Sequence, residues 1–136
     1  MTRSQLAMST ELLWAAQAGD FTAMRRLLRE GADPNRRFMV SGFTCIHEAI
    51  LRKNHDMARL LIEFGADLDH DDNANWQTPI MSAIIMEDVE MLSLLIENVA
   101  TLGAVADDGF TYADYAREIG RDSIAEFIES QLASGG

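Results

Sequence analysis

Apolar residues recur at three- and four-residue spacing in four separate stretches of the chain. Phe21, Met24, Leu27 and Leu28 form the first, and Met57, Leu60, Leu61 and Phe64 the second. Met91, Leu92, Leu94, Leu95 and Ile96 form the third, and Ile124, Phe127 and Ile128 the fourth. That spacing puts side chains on one helical face and predicts four amphipathic helices. The third run is the most apolar, as suits a helix held between two others. Asp20, Asn54 and Asp88 stand before the first three, where a side-chain oxygen can accept a backbone N–H bond. Gly19 ends the helix before Asp20, and Gly31 and Gly65 close the first two amphipathic helices, since glycine tolerates the left-handed conformation. The fourth is expected from about Asp122 to Gln131, with Glu126, Glu129 and Ser130 towards water and Ala133 to Gly136 frayed.

A shorter helix precedes each of these. Ser9 or Thr10 is expected to cap the first, which runs to about Ala18. Thr44 caps the second, which runs to about Lys53 and buries Ile46 and Ala49. Thr78 caps the third, and Pro79 suits its first position because it has no N–H to leave unpaired. Ile80, Ala83 and Ile84 pack there. Val99 stands where a closing glycine is expected, and a β-branched residue resists positive φ. Asn98 is therefore expected to end that helix one residue early.

The stretches repeat. Thr10, Thr44, Thr78 and Thr111 lie 34, 34 and 33 residues apart, and five residues after each comes Ala15, Ala49, Ala83 or Ala116. Ten residues after the first three come Asp20, Asn54 and Asp88, whereas the fourth copy has Arg121 followed by Asp122. Gly31 and Gly65 are each followed by Ala-Asp. A fixed period of this length signals stacked units, each unable to bury its apolar face alone.

The copies GFTCIHEA, WQTPIMSA and GFTYADYA, with TELLWAAQAGD, GADPN and GADLD, resemble the ankyrin repeat. The resemblance runs from about residue 8 to about 130. It implies an all-α, ankyrin-repeat solenoid of four stacked helix-turn-helix repeats with β-hairpin-like fingers. The repeats are expected at about 8–41, 42–75, 76–108 and 109–136, forming a single domain. The third copy departs most, with Val99-Ala100-Thr101 for Gly-Ala-Asp and Trp76 for the loop glycine. In the fourth, Asp114 replaces the histidine.

The formal charge of −11 is uneven: residues 1–38 carry six Arg and four acidic residues (+2), and the rest carries five Lys/Arg and eighteen acidic residues (−13). An acidic body disfavours nucleic acid and steers a basic partner towards the middle and C-terminal repeats. The single Cys45 excludes an internal disulfide and suits a reducing compartment, so the cytoplasm is expected. No apolar run reaches the ~20 residues that span a bilayer. Met1 to Ser9 lacks the apolar centre of a secretion signal, which leaves open export by a route without one.

Catalytic patterns are weak. His47-Glu48 opens like a zinc-protease motif, but Leu51 stands where the second histidine belongs; the resemblance gives His47 a bond to nearby backbone. Asp67, Asp69, Asp71 and Asn73 alternate as in a calcium loop, yet Asp72 replaces the required glycine and Thr78 the bidentate glutamate. Cys45 has no basic neighbour to activate it. No enzyme activity, cofactor or metal is expected.

The resemblance instead implies protein binding through finger tips and the exposed side of the first helices. The finger positions include Val40, Ser41 and Phe43, then Ala74, Asn75 and Gln77, then Asp107, Asp108 and Phe110. The helix positions are Gln17 and Ala18, Leu51 and Arg52, Ile85 and Met86, Glu118 and Ile119. The candidate contact residues are Phe43, Leu51, Arg52, Trp76, Ile85, Met86 and Phe110, an apolar centre with acidic flanks. Aromatic residues and Met are enriched in interface centres. Trp76 has a second reading, as packing against the neighbouring finger, and Ile85 and Met86 as packing between helices. The expected partner is a protein with a basic or apolar segment, held by a chain that is a monomer when free. The alternative is a stand-alone inhibitor or regulatory subunit that occludes a partner enzyme.

Overall fold

The structure, a computed structural model, describes residues 3–37, 44–68, 78–98 and 109–135. Eight helices are described: α1 (Arg3–Ala18), α2 (Phe21–Arg29), α3 (Cys45–Leu51), α4 (His55–Glu63), α5 (Pro79–Ile85), α6 (Val89–Asn98), α7 (Tyr112–Glu118) and α8 (Asp122–Gly135). They pair in order, α1 with α2, α3 with α4, α5 with α6 and α7 with α8. Helices α1, α3, α5 and α7 lie side by side in an inner layer, and α4 packs on α6 in an outer one. One apolar core runs through all four pairs, from Leu12 and Met24 through Ile50, Leu61, Ile84 and Leu92 to Ile128. This is the all-α solenoid of stacked helix pairs that the resemblance implies. The tips of the three fingers, with Val99, fall outside the described residues.

The caps follow the repeat. Asp20, Asn54 and Asp88 accept N–H bonds from Ala23, Met57 and Met91, each at 3.1 Å. Thr78 and Thr111 accept from Met81 and Asp114 at 3.3 and 3.1 Å. His47 Nδ1 accepts the N–H of Thr44 at 3.3 Å, and Asp114 Oδ2 accepts that of Thr111 at 3.0 Å. An aspartate thus performs in the last repeat the reciprocal half of a capping box that a histidine performs in the second.

Several boundaries differ from the sequence expectation. Ser9 and Thr10 lie inside α1, which starts at Arg3. Their hydroxyls donate to carbonyls one turn earlier, Gln5 at 2.8 Å and Leu6 at 3.1 Å. Ser9 Oγ also accepts the Asp33 N–H at 2.9 Å, tying the first closing turn to α1. Leu6, Ala7 and Met8 are good helix formers and carry the helix past the apparent cap. Phe21 is not buried with its stripe; it stands exposed at the start of α2. Helix α3 stops at Leu51, two residues before Lys53. Asn98 stays within α6 and donates to the Leu94 carbonyl at 2.8 Å, without the positive φ expected of a terminator. Helix α8 continues through Ala133 to Gly135.

The turn between the two helices of each pair needs a left-handed residue. Gly19 and Gly120 supply it at the ends, with φ of +70° and +80°, but Lys53 and Glu87 adopt +53° and +55° in the middle repeats. A side chain there costs about 1–2 kcal/mol. Glycine removes that strain but gives back part of it as unfolded-chain freedom. Lys53→Gly is expected to raise stability by about 0.5–1 kcal/mol, seen as a higher urea midpoint with unchanged slope. Glu87 is the poorer site for this test because its carboxylate lies 2.6 Å from Arg121.

Repeats are also joined by polar bridges. Asn35 donates to the Gly65 carbonyl at 3.1 Å and accepts the Asp67 N–H at 2.6 Å, linking the closing turns of the first two repeats. The Tyr112 hydroxyl donates to Thr78 Oγ1 at 3.0 Å. Arg121, which stands where a cap is absent, donates to the Ile85 carbonyl at 3.2 Å.

Candidate partner-binding surface

Inner helices α3, α5 and α7 end at one register, and their last residues form the described part of the strip. Leu51, the last residue of α3, is 44% exposed. Arg52 is exposed beside it, and its Nε donates to Glu48 at 3.1 Å across one helical turn. Ile85 ends α5 half-buried. Met86 is half-buried and packs against the core, so the reading of Met86 as interhelical packing describes much of its side chain. Glu118 and Ile119 are exposed at the end of α7, as are Gln17 and Ala18 at the end of α1. Phe110 is half-buried just before the Thr111 cap. Phe43 and Trp76, with Val40, Ser41, Ala74, Asn75, Gln77, Asp107 and Asp108, lie outside the described residues.

Within the described part of the strip, Leu51 and Ile119 are open to solvent, and Ile85, Met86 and Phe110 are open in part. The acidic flank is partly neutralised within the chain. Glu48 pairs with Arg52 and Glu87 with Arg121. The sequence reading missed Trp14, which is 64% exposed on α1. Its register is shared with Glu48, Ser82 and Tyr115, none of which is fully exposed.

The opposite, outer face carries a denser polar cluster. His55 Nε2 lies 3.0 and 2.8 Å from the two Asp88 oxygens, and Nδ1 lies 2.9 Å from Glu90. Arg59 bridges Asp56 at 3.1 Å and Glu90 at 3.3 Å. His55 and Arg59 on α4 thereby reach Asp88 and Glu90 at the start of α6, which makes the cluster a clasp between repeats. Among the described residues no group of His, Cys, Asp and Glu is placed to hold a metal ion, and no helix is long and apolar enough to cross a membrane.

Cys45 is buried at the first position of α3. Burial pushes its thiol up from 9.0 to about 12, and Glu48 and Asp33 add to the shift. The thiol is therefore a poor nucleophile. Because the folded value lies above the unfolded one, the neutral thiol's contribution is intact below pH 9 and is lost as pH rises towards 12. Cys45→Ala is expected to flatten the alkaline fall in stability by up to about 1.4 kcal/mol per pH unit, read from urea midpoints of the two proteins.

Antiparallel helix pairs stacked around a continuous core, with side chains exposed along one edge, define a helical-repeat solenoid of the kind that offers an extended surface to partners. The family model described as ankyrin repeats, three copies, matches residues 12–106, more than half of the chain. The chain belongs to the ankyrin repeat family. The match ends before the fourth helix pair, where Asp114 and Arg121 depart from the pattern. The chain is 33% identical over 98 residues to the putative ankyrin repeat protein FPV014 of fowlpox virus (strain NVSL), covering 72% of this chain and 21% of that one. It is 36% identical over 100 residues to human ankyrin repeat and SOCS box protein 6, covering 74% and 23%. It is 32% identical over 91 residues to human protein phosphatase 1 regulatory subunit 27, covering 67% and 58%. The chain thus spans about a fifth to just over half of these relatives' lengths.

Proposed function

We propose that this chain is a non-catalytic protein-binding module that holds a partner along the inner-helix ends and finger tips. The observation that carries this reading is Leu51, a large apolar side chain left open at the register shared by Ile85 and Glu118. Apolar centres with polar rims are what stable interfaces present. Glu118 and the acidic second finger, Asp67 to Gln77, favour a partner whose apolar segment has basic flanks. The cytoplasm is the compartment we infer, from the single reduced cysteine. The test is the combined variant Phe43→Ser, Met86→Ala, Phe110→Ser, with Leu51→Ser added. Partners captured from native lysate should be lost while the helical circular dichroism spectrum survives. Unchanged capture by a folded variant rejects the surface.

A second reading has its own support. Protein phosphatase 1 regulatory subunit 27 is matched over 58% of its length, a larger share than for the other two relatives. That likeness supports a role as regulatory subunit or inhibitor, covering part of a partner enzyme. It is separated from simple recruitment by assaying a captured enzyme with and without the chain.

A further inference from the structure

His55 stands where both nitrogens of its ring are asked to donate. Its Nε2 lies 2.8 and 3.0 Å from the two Asp88 oxygens, and its Nδ1 lies 2.9 Å from Glu90. An ionised carboxylate only accepts hydrogen bonds. A neutral imidazole has one N–H and one lone pair, whereas the imidazolium has two N–H groups. The bridge to both carboxylates is therefore fully hydrogen-bonded only in the charged ring. Other charges surround it. Asp56 and Arg59 lie on α4 itself, and Arg52 and Lys53 approach from the turn after α3, in the same cleft as Glu90. Arg52 is drawn to Glu48 at 3.1 Å, and Arg59 to Asp56 and Glu90 at 3.1 and 3.3 Å. On the α2 side Arg25 meets Glu63 at 3.9 Å, two turns further along α4. Among the described residues, the side chains hydrogen-bonded to the ring are both carboxylates. They differ in exposure, 7% for the Asp88 side chain and 61% for that of Glu90. A neutral ring keeps its one N–H for Asp88, because a buried carboxylate is the costlier one to leave unmatched. It then turns a lone pair towards Glu90, which repels it.

We propose that His55 is a proton-operated latch between the second and third repeats: its imidazolium bridges Asp88 and Glu90, and loss of one proton frees Glu90 and loosens α6 from α4. The direction follows from where the proton sits. The folded chain holds it, so the latch's contribution is complete at the acid end of the histidine range, about pH 5, and is lost as pH rises through that range to about pH 8. Cys45 acts only above pH 9, so the two responses do not overlap. Leu51 and Ile85 end the inner helices of the same two repeats, so the latch joins the units that carry the exposed strip.

Urea unfolding of the native sequence, His55→Gln and Glu90→Gln at about pH 6 and about pH 8 tests it. The unfolding constant of the native sequence should rise roughly threefold to tenfold more than that of His55→Gln over this interval. His47 and His70 are common to all three proteins and drop out of the comparison. Glu90→Gln supplies an amide N–H that can donate to the Nδ1 of a neutral ring. Its pH response should therefore fall to that of His55→Gln while the helices stay joined. Glu90 is exposed, so this variant keeps the fold even where His55→Gln does not, and circular dichroism checks both. Equal pH responses of the native sequence and a folded His55→Gln, or a response of Glu90→Gln as steep as the native one, overturns the proposal.

Discussion

Truncating Ile84 to alanine is expected to cost about 2–5 kcal/mol of unfolding free energy. Ile84 is fully buried in α5, at the register that Ile50 fills one repeat earlier and that Arg117 leaves to solvent one repeat later. Removing its side chain takes away burial and leaves a void that the stacked helices relax into only in part. The solenoid adds a second consequence. Its repeats hold only to their neighbours, so damage at one interface loosens the units beyond it before those behind it. Helices α7 and α8 should therefore melt ahead of α1–α4 in the variant. Ile84→Arg, which copies the terminal residue into an interior repeat, should exaggerate this by burying an unpaired charge. The measurement is urea unfolding by circular dichroism, with amide hydrogen exchange to locate the loss. A variant whose midpoint moves by less than that of Lys53→Gly would show that this register does not bear the stacking.

The second large effect concerns Asp88, a buried carboxylate with two tasks. It caps α6 through the Met91 N–H and receives His55 Nε2 from the preceding repeat. Loss of a cap costs about 0.5–2 kcal/mol, and loss of a hydrogen bond to a charged group about 1.5–3. The two share one side chain and do not simply add, so Asp88→Ala is expected to destabilise by about 3 kcal/mol. Asp88→Asn keeps an oxygen for the cap while giving up the charge, and should lose about half as much. A double-mutant cycle with His55→Ala isolates the link between repeats, expected at about 1–2 kcal/mol. Additive single variants would reduce Asp88 to a local cap and remove the clasp.

Much of the fold was readable because each repeat carries its own punctuation. Asp20, Asn54, Asp88, Thr78 and Thr111 cap where their register places them, and the buried stripe residues Met24, Leu61, Leu92 and Ile128 fall on the core. The misreadings have a common physical origin. Ser9 and Thr10 are good caps, but a hydroxyl can equally bond one turn back inside a helix, as both do here, and Ser9 is further fixed by the tertiary contact to Asp33. Lys53 has no sequence sign of left-handed backbone; only its alignment with Gly19 and Gly120 exposes the requirement. Arg121 looks like a failed cap until the Ile85 carbonyl and Glu87 are seen beside it. Leu51 was legible as a surface candidate, because the motif leaves it no structural task. Met86 was less so, since one side chain both packs on the core and meets solvent. Trp14 escaped notice because exposure at a repeat end depends on what lies against it in space, which spacing along the chain does not encode.

The left-handed turns tell where this molecule can tolerate change. The second and third units keep Lys53 and Glu87 in a backbone state that costs free energy, while the first and fourth use glycine at the same place. Sequence drift at the inter-helix turn should be wider at positions 53 and 87, which already accept a side chain at positive φ, than at Gly19 and Gly120.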